Sequence, residues 1–171
     1  MKKSLSSLFL FLFSFFTIFV FIFVFTACSS KTKTNHKKVS SAYSKSIDVA
    51  LAVRLRAYAP YSNYLVGSAI QTDSGKIYQG CNVENAAYGV TNCAERTALF
   101  SAVAAGERNF SLVIVASKDG QATPCGVCRQ ALNEFNPEML IIMVDEKGEI
   151  KNKIELSKLL PQAFGPENLN K

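Results

Sequence analysis

Histidine is nearly missing from this chain. The one histidine in 171 residues, His36, lies in a polar, lysine-rich stretch over residues 29–40, so acid–base chemistry in the folded part falls to another group. Basic charge is missing where it would matter for nucleic acid. The formal charge is +6, but Lys2, Lys3, Lys31, Lys33, Lys37 and Lys38 all lie in the first 40 residues. From Ser41 onward 13 Lys and Arg face 13 Asp and Glu. A neutral domain is no electrostatic trap for a phosphate backbone, which excludes nucleic acid as a partner and favours a small, uncharged substrate. No internal repeat is evident, and the length suits one domain of ordinary size.

Charge of either sign is absent from Leu5 to Ala27, which hold nine of the thirteen Phe and follow Lys2-Lys3. The run is long enough to span a bilayer. It also reads as a lipoprotein-type signal, with Phe25-Thr26-Ala27-Cys28 placing small residues before a cysteine to be lipidated. Three readings stand open for residues 1–28: a cleaved leader with a lipid on Cys28, an uncleaved anchor, or translated upstream sequence before a true start near Val39. For an anchor, Lys31, Lys33, Lys37 and Lys38 outnumber Lys2 and Lys3 and favour a cytoplasmic C-terminal side. Residues 29–40 read as a flexible linker, and 41–171 as the domain. Any membrane contact runs through the leader alone.

Within the domain, Ser41 to Ala59 carries an apolar stripe at helical spacing, Ile47, Ala50, Leu51, Val53, Leu55 and Tyr58, stopped by Pro60. Val66–Thr72 and Lys76–Val83 flank a turn signal at Asp73-Ser74-Gly75. Ala94–Ala105 is a helix ended by Gly106. Leu112–Ser117 and Met139–Val144 read as buried strands, Cys125–Phe135 as a helix, Ile150–Ile154 as an edge strand and Glu155–Leu160 as a last helical turn. Two strands followed by alternating helix and strand imply an α/β fold, a mixed sheet covered by helices on both faces.

What is present in this frame is a cysteine pattern. Cys93-Ala94-Glu95-Arg96 precedes Pro124-Cys125-Gly126-Val127-Cys128-Arg129. Three thiolates leave one position open on a tetrahedral zinc, the arrangement of a site that does chemistry, whereas a structural site normally supplies four protein ligands. Cys81 falls in a strand, where burial accounts for it, and Cys28 lies across the linker. Each ligand sits where the chain enters a helix, and backbone N–H groups there favour thiolate. Three thiolates weaken zinc as a Lewis acid. Arg96, three residues after Cys93, and Arg129, one residue after Cys128, are placed to hydrogen-bond sulfur and withdraw charge. With no histidine in the domain, Glu95 is the group to move a proton. The competing reading is a structural zinc knuckle with Glu95 on a solvated helix face.

These motifs resemble the small, homotetrameric, zinc-dependent cytidine deaminases, and the first ligand, Cys rather than His, points to the branch that acts on free nucleosides. The resemblance covers about Ser41 to Phe164. It implies a three-layer α/β/α domain with a mixed five-stranded sheet, one Zn²⁺ per subunit on Cys93, Cys125 and Cys128, a cytoplasmic catalytic domain, and conversion of cytidine and 2′-deoxycytidine to the uridine forms with release of ammonia. In Ala59-Pro60-Tyr61-Ser62-Asn63-Tyr64 it makes Tyr64, where the family usually has Phe, the ring that stacks on the pyrimidine. In Asn82-Val83-Glu84-Asn85 it makes Asn82 and Glu84 the ribose ligands; two apart on one strand, they would share a face. The Ala94 or Cys125 N–H would contact the base. Leu159-Leu160-Pro161-Gln162-Ala163-Phe164 resembles a C-terminal segment that brings Phe164 into a neighbouring subunit's site, against the base from the other side.

Two rivals are set against this. A deaminase of the same build could act on a cytosine-containing antibiotic of the blasticidin-S type, but the complete Asn82-X-Glu84-Asn85 with Phe164 argues for nucleosides. A membrane-anchored protein could bind nucleosides without turnover, but a pure binder has no use for Glu95 beside an open metal.

Overall fold

The structure, a computed structural model, describes residues 42–169. The expectations for the leader, the lipidated Cys28 and the linker lie outside the described residues. Among those described, no helix is long and apolar enough to cross a membrane.

Helix α1 covers residues 42–54. It buries Ile47, Ala50 and Val53, three residues apart along one face, while Leu55 and Tyr58 are exposed. The expected extension to Ala59 is therefore corrected. Past residue 54 the backbone of Tyr58 bonds to another partner: its N–H donates to Asn82 O at 3.1 Å, and its carbonyl accepts from the Glu84 N–H at 2.8 Å. This bridge beside Val83 draws the chain out of the helix before Pro60 is reached.

The sheet follows. β1 (Gly67–Thr72) and β2 (Ile77–Cys81) form an antiparallel hairpin, turned at Gly75 with φ +84°, a conformation glycine adopts without steric cost. After α2 (Ala94–Ala104) come β3 (Phe110–Ala116), α3 (Gly126–Asn133), β4 (Leu140–Val144), β5 (Ile150–Glu155) and a single turn, α4 (Leu156–Leu159). Strand order is β2-β1-β3-β4-β5. Only β3 and β4 run parallel, with Ile114 opposite Ile142, and α3 makes the crossover that a parallel pair requires.

Side-chain alternation along the strands builds both faces of the sheet. Ala69, Leu112, Ile114, Ala116, Ile142 and Val144 pack with Ile47 and Ala50 of α1. Ile70, Val113, Val115, Ile141 and Met143 pack with Ala98, Leu99 and Ala102 of α2, Leu132 of α3 and Leu156 of α4. The result is the expected three-layer α/β/α arrangement. Two close approaches set the layers. A Cβ on Gly67 would stand 2.1 Å from Ala50 O, and one on Gly80 would stand 2.2 Å from Ala98 N and 2.6 Å from Ala94 O. The second seats the first turn of α2 directly on the end of β2.

Candidate metal centre

Cys93 and Cys125 are the residues just before α2 and α3, extended at φ −76° and −67°, and neither thiol is used to cap its helix. Cys128 lies in the first turn of α3 and is fully buried. Their sulfurs converge: Cys93 Sγ is 3.8 Å from Cys125 Sγ, and Cys125 Sγ is 3.6 Å from Cys128 Sγ, with all three within 4.8 Å of one another. Zinc–sulfur bonds of about 2.3 Å in a tetrahedron place sulfurs about 3.8 Å apart, so the three thiols fit one zinc ion. All are free cysteines.

The surrounding groups are those a thiolate cluster needs. Arg96 points a guanidinium nitrogen, Nη2, at Cys93 Sγ (3.7 Å) and shares it with the Thr91 carbonyl at 3.3 Å. Its Nε is buried without a partner among the described residues. Hydrogen bonding from the Cys128 thiol, reinforced by Arg96, lowers the Cys93 thiol to about 5, whereas sharing a proton with Cys93 raises Cys128.

Arg129 does not behave as expected. Its Nε donates to Pro124 O at 2.7 Å and its Nη1 to Leu159 O at 2.8 Å. It joins the residue before Cys125 to the end of α4, so its bonds shape the ligand loop instead of drawing charge from sulfur.

Glu95 is 5 % exposed, not on a solvated helix face. Burial raises its carboxyl to about 7, and the Cys93 charge adds to the shift. A carboxyl poised near neutrality suits proton transfer in both directions.

Of the remaining expected residues, Tyr64, Asn82 and Glu84 are brought together by hydrogen bonds just past the end of β2. β2 stops at Cys81, so Asn82 and Glu84 do not lie on a strand as expected; they flank Val83, which bridges both Tyr58 and Asn92. The chain leaves the ladder here because its backbone bonds turn to those two segments. This places the pair alongside Asn92, next to Cys93. Asn82 donates from Nδ2 to Tyr64 O at 2.9 Å and accepts from the Val66 N–H at 2.8 Å. Glu84 accepts from the N–H groups of Tyr61 (2.9 Å) and Ser62 (3.2 Å) and from the Ser62 hydroxyl. Those bonds, the Ser62 hydroxyl first, hold its carboxyl below the usual range. A carboxylate offers about four acceptor sites and an amide two of each kind, so each side chain keeps capacity for a ligand hydroxyl. Tyr64 is 38 % exposed, and its hydroxyl donates to Asp119 Oδ1 at 2.8 Å. Ala94 is buried at the start of α2. Phe164 is 59 % exposed and touches this cluster through none of the described bonds; its carbonyl accepts from Gln130 Nε2 at 2.8 Å.

Sequence reasoning missed Asp119 and Thr91. Asp119-Gly120 reads as a plain turn. The available signal was indirect, since the Tyr64 hydroxyl required a partner.

Comparison with known proteins agrees with the site. The family described as "Cytidine and deoxycytidylate deaminase zinc-binding region" matches residues 40–144. The chain is 47% identical over 128 residues to a cytidine deaminase of Sporosarcina psychrophila, covering 74% of this chain and 93% of that one. It is 42% identical over 127 residues to a probable cytidine deaminase of Dictyostelium discoideum, covering 73% and 85%. Among solved structures, it resembles the cytidine deaminase of Burkholderia pseudomallei with a TM-score of 0.67 and 46% identity, over 71% of this chain and 98% of that chain. With three zinc-ready thiols, a buried glutamate two residues after the first of them and this likeness over 74% of its length, the chain belongs to the zinc-dependent cytidine deaminase family.

Proposed function

We propose that this protein catalyses the hydrolytic deamination of cytidine to uridine and ammonia, and of 2′-deoxycytidine likewise. The observation that carries the reading is Glu95, buried one residue from Ala94 and two from the Cys93 ligand, with a carboxyl near neutrality. Bound zinc would supply Lewis acidity, which lets water lose a proton and act as a nucleophile at neutral pH. Glu95 takes a proton from the attacking water and gives it to the pyrimidine, then carries the remaining hydroxyl proton to the amino group, so that the C–N bond breaks, ammonia leaves and the carbonyl forms. Arg96 offsets the charge of Cys93 through its hydrogen bond to sulfur. The spare acceptor and donor sites of Asn82 and Glu84 support ribose binding, and the half-open Tyr64 ring supports stacking on the base. The Ala94 or Cys125 N–H contacts the pyrimidine.

The further readings rest on the family resemblance. The deaminase domain comprises residues 41–171 and works in the cytoplasm in pyrimidine salvage. Four copies form a homotetramer, in which Phe164 closes the base site of a neighbour. The exposure of Phe164 in the single chain supports this. The leader over residues 1–28 is tested by the intact mass of the protein from its native cell, which separates a lipid on Cys28, an intact leader and a start near Val39.

The activity is tested by following the ultraviolet absorbance change as cytidine becomes uridine, with wild type beside Glu95→Ala at matched zinc content. Wild-type turnover abolished by the substitution supports the reading. Cytidine binding with no turnover in the zinc-loaded wild type sinks it.

A further inference from the structure

One hydrogen bond at this end of the sheet has no counterpart if position 64 is the phenylalanine usual in the family. The segment carrying Tyr64 is clamped along its backbone. Tyr64 O accepts from Asn82 Nδ2, its N–H donates to the Ser62 hydroxyl at 3.0 Å, and Glu84 holds Tyr61 and Ser62. These bonds fix where the residue starts but not where its ring points. The ring direction is set by its far end, where the hydroxyl meets Asp119 Oδ1.

Asp119 is itself well held. The same Oδ1 accepts from the Ser117 hydroxyl at 3.0 Å and the Gln121 N–H at 3.1 Å, and the Ser117 hydroxyl accepts from the Ala122 N–H at 3.4 Å. Its backbone bridges Asp145. Gly120, with φ +71°, packs so tightly that a Cβ there would meet Lys151 Cγ at 2.5 Å and Asp145 N at 2.9 Å. Asp119 thus projects from a braced turn, and six residues later the same loop delivers Cys125.

We propose that Asp119 is a positioning residue for the deamination. By accepting the Tyr64 hydroxyl, it fixes the Tyr64 ring as a wall of the nucleoside site and ties that wall to the loop bearing Cys125. The inference rests on the deaminase reading above. It predicts an effect on nucleoside binding that runs through the phenol. A side chain acting only as a loop brace would not show that dependence.

The test uses the full chain with zinc bound and measures kcat and KM for cytidine in wild type, Asp119→Ala, Asp119→Asn, Tyr64→Phe and the Tyr64→Phe/Asp119→Ala double variant. Losing one hydrogen bond of ordinary strength raises KM roughly fivefold. That rise is expected alike in Asp119→Ala, Tyr64→Phe and the double variant, with kcat much less affected. Asp119→Asn, whose side-chain oxygen still accepts, retains most of the affinity. The inference is overturned if Tyr64→Phe keeps the wild-type KM, or if the double variant shows the product of the two single effects. Tyr64→Phe leaves Asp119 in place, so it answers the question even if Asp119→Ala does not fold. Absence of turnover in the wild type overturns the deaminase reading and this inference with it. That result differs from an active wild type whose KM ignores the phenol.

Discussion

Arg96 sits with its Nη2 3.7 Å from Cys93 Sγ while its Nε, buried, meets no acceptor among the described residues. A guanidinium held this way has its positive charge at a sulfur whose thiol is lowered to about 5. The use we propose for it follows from the donor set: three thiolates would leave zinc with a net charge near −1, which opposes water activation.

Arg96→Ala is therefore expected to leave zinc in place, because all three ligands remain, while lowering kcat by roughly 10- to 100-fold. Zinc determination by mass spectrometry alongside steady-state kinetics checks this. Normal turnover at full zinc content would remove Arg96 from the chemistry. Arg129→Ala is expected to behave differently, because its bonds go to Pro124 O and Leu159 O. It should loosen zinc itself, by freeing the loop that carries Cys125.

Gly80 makes a second prediction. Its missing side chain lets the first turn of α2 lie on β2, and a methyl group would stand 2.2 Å from Ala98 N and 2.6 Å from Ala94 O. Both are backbone atoms, so relief requires the helix to move, and Cys93, Glu95 and Arg96 move with it. Gly80→Ala is expected to cost about 1–3 kcal/mol of stability, as overpacking typically does, and to lose activity beyond that loss of stability. Thermal unfolding and activity measured well below the melting temperature separate the two effects. A variant as stable and active as wild type would show that α2 tolerates the shift.

Gly80 also marks what the sequence made legible and what it did not. The strands, α2, α3 and the thiol triplet follow from local signals: alternation, alanine-rich runs ended by glycine, and the Cys-X-X-Cys spacing. What escaped depends on partners distant in sequence. The helix at residues 42–54 was expected to run to Ala59 because Leu55 and Tyr58 keep its period, yet backbone bonds from Tyr58 to Asn82 and Glu84 end it sooner. Asn82 and Glu84 were expected on a strand for lack of any local sign that Val83 would pair with Tyr58 and Asn92. Arg129, like Arg96, closely follows a ligand cysteine in sequence, but Leu159 O at the end of α4 draws it elsewhere. Residue type located the chemistry, while long-range backbone partners decided geometry.

Glu84 gives a pH dependence whose sign can be worked out. The Ser62 hydroxyl and the Tyr61 and Ser62 N–H groups favour its ionised form, so its folded pKa lies below the ordinary value of 4.5. The folded state then binds fewer protons than the unfolded chain, and the contribution to stability is present above about pH 4.5. It is lost as pH falls through the lower folded value. Glu84→Gln should flatten that acid limb in chemical denaturation curves taken across the window, while raising KM for cytidine at neutral pH. An unchanged acid limb would mean that the clamp on residues 61–62 does not depend on the charge.

Phe164 carries the last prediction. It is 59 % exposed, and its carbonyl is fixed by Gln130, so a large apolar ring faces outward from a segment that includes Gln162 at φ 56°. If it closes a neighbour's site, Phe164→Ala should raise KM for cytidine without loss of zinc, by about 10-fold or more for the loss of an aromatic wall. A mixed oligomer tells whether the ring acts in trans. Subunits bearing Glu95→Ala are inactive but still present Phe164; subunits bearing Phe164→Ala are active but lack the wall. Co-expressed, the pair should regain a population of sites with near wild-type KM, because an intact Phe164 from the first kind of subunit completes the site of the second. If the mixture keeps the KM of Phe164→Ala alone while the two kinds of subunit demonstrably co-assemble, the ring serves its own chain or none.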